Sequence, residues 1–82
     1  MNNIKTINTN YLRPSRTLET IIVSNSTKTN VFYVYNYEGY SFRLFKTHLD
    51  FINFFQNAAE SDFHFNSDNE LDSFLEKVEL ID

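Results

Sequence analysis

The stretch Val31–Lys46, VFYVYNYEGYSFRLFK, leaves this chain few choices. It holds seven of the fourteen aromatic residues and the only glycine. From Val31 to Tyr37 every residue but Asn36 is β-branched or aromatic, side chains that suit a pleated, half-buried surface. Asn36-Tyr37-Glu38-Gly39 then breaks the run. Asparagine favours the first position of a type I turn, and Gly39 can take the left-handed conformation that closes a three-residue loop with a bulge. The stretch therefore predicts a β-hairpin in which Asn36 faces Tyr40. Val34 then faces Phe42 and Phe32 faces Leu44 on an apolar side. Tyr33 faces Arg43 and Tyr35 faces Ser41 on the other. A two-residue Glu38-Gly39 loop would shift the pairing by one and bury the tyrosines instead, at the cost of positive φ at a glutamate.

The remaining elements follow from period and caps. Thr17–Ser24, TLETIIVS, carries a continuous Ile21-Ile22-Val23 run and reads as a central strand. Asn25–Asn30 is a polar loop of hairpin length. Thr47 followed by Asp50 marks a helix start, and Phe51, Ile52, Phe55, Ala58 and Ala59 form its apolar stripe, with Phe54 beside it. Phe63 and Phe65 alternate with polar neighbours, as in a brief strand or an extended link. Ser67 and Glu70 form a capping box ahead of a second helix striped by Leu71, Phe74, Leu75 and Val78. Residues 1–16 are polar and without period, a flexible or extended arm in which Pro14 holds Arg13 extended. Residues 17–82 form a single α+β domain. Its antiparallel sheet has three strands, or four with Phe63–Phe65, and two helices on one face, in the order β-β-β-α-(β)-α.

A chain of 82 residues buries only about 60–65% of its extended surface, so its core must be small and efficient. The 17% aromatic content supplies that efficiency, at about 1.5–3 kcal/mol per fully buried side chain. Absence of cysteine excludes disulfides and thiolate chemistry. No apolar run suggests a signal peptide or a membrane span, so a cytoplasmic protein is expected and the sequon Asn25-Ser26-Thr27 is idle.

Net charge is −4, unevenly spread. Lys5, Arg13, Arg16, Lys28, Arg43 and Lys46 outweigh Glu19 and Glu38 in residues 1–46, whereas residues 47–82 carry nine acidic side chains against Lys77. Asymmetry of this kind speaks to association rather than fold. Asp68, Asp72, Glu76 and Glu79 fall within roughly 80° on the second helix. Each such like-charge pair costs about 0.2–0.5 kcal/mol in an isolated helix. A ridge held against its own repulsion suits a basic partner, such as the channel of a nucleic-acid enzyme; it also suits a plain solvated face. The second candidate surface is Tyr33, Tyr35 and Arg43, with Tyr37 at its margin. Rings beside a guanidinium can stack on single-stranded nucleic acid or serve as protein-binding hot spots.

Catalysis has no footing in the sequence. His48 and His64 belong to no local triad or metal-ligand spacing, and a lone glycine builds no phosphate loop. No enzyme activity, cofactor or metal is expected. In length, in its Asn- and Lys-bearing polar composition, in its β-β-β-α-α outline and in the ridge Asp68, Asp72, Glu76, Glu79, the chain resembles the anti-CRISPR inhibitors of phages and mobile elements. The resemblance implies a stoichiometric inhibitor that binds an effector nuclease, or its RNA complex, at or near the guide- or target-binding channel. Two other classes suit the same residues. One is a homo-oligomeric adaptor joined through Tyr33/Tyr35 or Phe54. The other is a small RNA-binding protein using the Tyr/Arg face.

Overall fold

The computed structural model describes residues 1–13 and 15–81; Pro14 lies outside them. Five antiparallel strands run as a meander in the order β1 (Asn3–Arg13), β2 (Arg16–Ser24), β3 (Thr29–Tyr37), β4 (Ser41–Phe45) and β5 (Phe63–Phe65). Helix α1 (His48–Asn57) lies between β4 and β5 in sequence, and α2 (Asp68–Lys77) follows β5. The class is α+β, as expected. The stretch expected as an arm is extended and forms β1, an edge strand paired along β2. Sequence period cannot reveal such a strand. All of its residues are exposed, so neither face requires apolar alternation.

The β3–β4 loop has three residues, but it begins one residue later than expected. Tyr37 faces Ser41, Tyr35 faces Arg43 and Val34 faces Leu44. Asn36 stays in the strand opposite Phe42 and uses its side-chain oxygen to accept the Gly39 N–H at 2.9 Å. The turn takes positive φ at both Glu38 (55°) and Gly39 (80°). Positive φ is unfavourable for glutamate; here the Glu38 N–H donates to the Ser15 carbonyl at 2.7 Å, tying this turn to the β1–β2 turn. The register differs from the expected one by two residues. A two-residue shift leaves each side chain on its face, so Phe32, Val34, Phe42 and Leu44 still share one side, and Tyr33, Tyr35 and Arg43 the other.

The helices do not share a face. α2 lays Leu71 and Leu75 on Ile21, Val23, Phe32, Val34, Phe42 and Leu44, with Leu80 closing that layer. α1 lays Phe51 on Leu18, Tyr35 and Phe45 on the opposite side. The physical reason is Phe45, fully buried on the tyrosine side of β4. The sheet is apolar on both faces, and only Lys46 and Thr47 separate Phe45 from α1. The helix therefore folds back onto the face that Phe45 marks, with the Phe45 and Phe51 rings 5.6 Å apart.

Local chemistry ends each helix. Thr47 caps α1 by accepting the Asp50 N–H at 3.1 Å. The helix stops at Asn57, and Ala58 turns left-handed with φ 54°. Ala58 and Ala59 are thus exposed rather than part of the stripe. Phe54 rather than Phe55 takes the half-buried place, with its ring 5.2 Å from Phe45. At α2, Ser67 accepts the Glu70 N–H, and Glu70 reaches back to the Asn66 N–H at 2.7 Å. The other end of α2 is closed from a distance. The Asn2 side chain donates to the carbonyls of Leu75 and Val78, at 3.0 and 2.9 Å, and its N–H donates to Glu76. Asn30 grips Ile81 through both its side-chain amide groups, which seats the buried Leu80.

Candidate functional site

The acidic surface is built on two elements rather than one. Asp68 and Asp72 are exposed on α2, and Glu76 is half-buried near the N-terminal residues. Glu79 leaves the ridge, because α2 ends at Lys77 and Val78 is already extended. In its place stands Glu19 from β2, opposite Val34 on the side that α2 covers. Burial pushes the Glu19 carboxyl above its ordinary value, and the charges of Asp68 and Asp72 add to that push. Part of the signal for Glu19 was present in the sequence: alternation with Ile21 and Val23 puts it on their face of the sheet, and the tertiary structure lays α2 over that face. Among the described residues, no three His, Asp or Glu side chains are placed to hold a metal ion. The carboxylates share an electrostatic field and do not converge on a point.

The tyrosine face is roofed by α1. Tyr35 is only 7% exposed, and its ring packs against Phe54 and Phe55 at 6.0 and 5.1 Å. Tyr33 is half-buried and meets His48 edge-on at 5.5 Å. Arg43 is half-buried at the helix margin with its guanidinium 5.4 Å from the Phe54 ring. The structure therefore brings these three residues together, as interior and margin rather than as an open stacking platform. At the same end of the sheet, the Arg16 guanidinium lies 4.3 Å over the Tyr37 ring.

Two further features were not visible in the sequence. β5 sets His64 beside Ser41, with Nε2 2.9 Å from the hydroxyl. The pair is exposed, so it lacks the water-excluding setting that would favour nucleophile activation. A cavity of about 510 Å³ opens between α2 and the β3–β5 side, lined by Phe32, Phe63, Phe74 and Val78, with Lys46 and Glu79 also on its wall. The Lys46 ammonium sits 5.5 Å over the Phe63 ring. Among the described residues, no helix is long and apolar enough to cross a membrane. Comparison with protein-family models, curated proteins and solved structures finds no match to the chain.

Proposed function

We propose that the chain is a non-catalytic, cytoplasmic protein-binding module whose acidic face occupies a basic, nucleic-acid-binding surface of a larger protein. This is the role implied by its resemblance to anti-CRISPR inhibitors, in which the partner is a host-defence nuclease or its RNA complex. The observation that carries the reading is the junction of Glu19 with Asp68 and Asp72. Two elements remote in sequence hold these carboxylates close enough for Glu19 to feel the other two charges. Such a field steers a basic surface toward it and is neutralised on contact. The tyrosine face supports direct RNA binding less well, since Tyr35 lies beneath α1.

The test is affinity capture from the native host with the wild-type chain and with Asp68→Lys/Asp72→Lys, helicity being checked by circular dichroism. The expected result is a captured nucleic-acid-handling protein that wild type retains in competition with oligonucleotide and that the variant loses. Retention unchanged by the charge reversal would overturn the reading. So would a captured protein whose nucleic-acid binding is unaffected by saturating wild-type chain.

A further inference from the structure

Beyond Tyr35, the face of the sheet that α1 roofs continues into a basic, aromatic corner. Residues directly opposite on paired strands share a face, as do residues two apart along one strand. Tyr37 faces Arg16 on one side and Ser41 on the other, while Arg43 faces Tyr35 on one side and His64 on the other. Arg16, Tyr37, Ser41, Arg43 and His64, drawn from four strands, therefore lie together on the α1 side. Arg13, opposite Arg16 at the end of β1, extends the row. Three arginines thus gather in one place on a chain whose net charge is −4.

A cleft of about 350 Å³ opens there, lined by Tyr35, Tyr37, Tyr40, Ser41, Arg43 and Phe54. Tyr40 is 57% exposed at its rim and stands edge-on to Tyr37, with the rings 5.9 Å apart. Two guanidiniums are set over rings of the wall, Arg16 at 4.3 Å from Tyr37 and Arg43 at 5.4 Å from Phe54. Each offers a planar fork of N–H donors that suits the oxygens of an anion. The Ser41 hydroxyl, 2.9 Å from His64 Nε2, adds a polar group beside them. An acid, Glu38, stands at the rim, where its carboxylate accepts from the Tyr40 hydroxyl at 3.1 Å. The acidic α2 surface lies across the sheet, in a molecule 20 Å deep along its shortest axis, and salt screens such a field over about 8 Å.

Charge and lining together select the occupant. Arginines over two walls favour an anion, and the rings favour a flat group. The hydroxyls of Tyr37, Tyr40 and Ser41 offer hydrogen bonds that a plain phenyl ring leaves unmade and the polar edge of a nucleobase engages. The volume lies at the lower end of the ligand-pocket range of about 300–1,000 Å³, which suits one nucleotide rather than a run of stacked bases. We infer that this cleft binds a nucleoside 5′-monophosphate, free or at the 5′ end of a strand, its base against Tyr37 and Tyr40 and its phosphate held by Arg16 and Arg43. The inference does not rest on the inhibitor reading, which uses Glu19 and α2 on the other side of the sheet.

The test is titration of the isotope-labelled full chain with adenosine 5′-monophosphate (AMP), followed by amide chemical shifts. A purine is the probe because stacking on aromatic side chains tolerates any base. AMP should shift the amides of Tyr37–Arg43 and of His64 saturably, with a midpoint at about 1 mM or below. Adenosine, which lacks the phosphate, and inorganic phosphate, which lacks the base, should each bind about tenfold more weakly. Arg16→Gln and Arg43→Gln should each weaken AMP about tenfold, and dispersed amide spectra check that both variants are folded. No saturable shift by about 10 mM AMP overturns the inference, as do shifts that map away from the cleft or AMP binding unchanged in both variants. Inorganic phosphate or phenyl phosphate binding as tightly as AMP overturns the assignment to a nucleotide. A 5′-phosphorylated trinucleotide separates the two sources: tighter binding than AMP supports a strand end, and weaker binding supports a free nucleotide.

Discussion

Ala58 ends α1 in a backbone conformation that residues with a Cβ adopt reluctantly. Glycine has no such penalty and is the usual residue there. Ala58→Gly should therefore stabilise the protein by about 0.5–1 kcal/mol, read as a higher urea midpoint with an unchanged slope. Asn2 is the opposite case, a residue whose value lies in its position. Its amide serves two carbonyls at the end of α2 that the helix cannot satisfy itself. Asn2→Ala should cost about 1–2 kcal/mol, and amide exchange should quicken in the last turn of α2 before elsewhere. Glu19 is the third such residue. Its carboxyl sits above the ordinary value when folded, so as pH rises from that ordinary value the unfolded chain loses its proton first. Stability therefore falls with rising pH until the folded pKa is passed, and below the ordinary value the effect is absent. Glu19→Gln should remove this component and leave the protein more stable at neutral pH by about a few tenths of a kcal/mol, the scale of partly exposed charge pairs. Urea midpoints of wild type and variant, compared across acid and neutral pH, check both the sign and the window.

At the scale of elements, what could be read locally was legible. Thr47 and Ser67 cap their helices because a cap needs only the chain within three residues of it. The hairpin was legible as a hairpin with its two faces, since period two survives a register error of two. The loop position was not, because Asn36 had two uses, as a turn residue or as a strand residue whose side chain reaches Gly39. The second use won, with the Ser15 carbonyl holding Glu38 in place. Placing both helices on one face failed for a related reason. Phe45 stood at the end of its strand, where the pattern Phe42-Arg43-Leu44 suggested one apolar side, yet its ring anchors the other. The acidic ridge was half legible. Helical spacing found Asp68 and Asp72, assigned Glu79 to a helix that ends before it, and missed Glu19 on a neighbouring strand.

At the scale of the molecule, the sheet is a partition between two aromatic-rich layers, and its two long edges differ. β5 closes one edge with three residues, too short to offer much to another chain, whereas β1 leaves eleven residues of backbone open on the other.

The amino-acid sequence by itself determined what depends on near neighbours: the caps, the periods of the helices, the hairpin and its two faces, and the exclusion of disulfide and thiol chemistry. Only the tertiary structure decided which face each helix takes, that the N-terminal residues form a strand, and that Glu19 belongs with Asp68 and Asp72. Those outcomes turn on contacts between residues distant in sequence, where a two-residue slip or one buried ring settles the arrangement. No periodicity along a single segment records them.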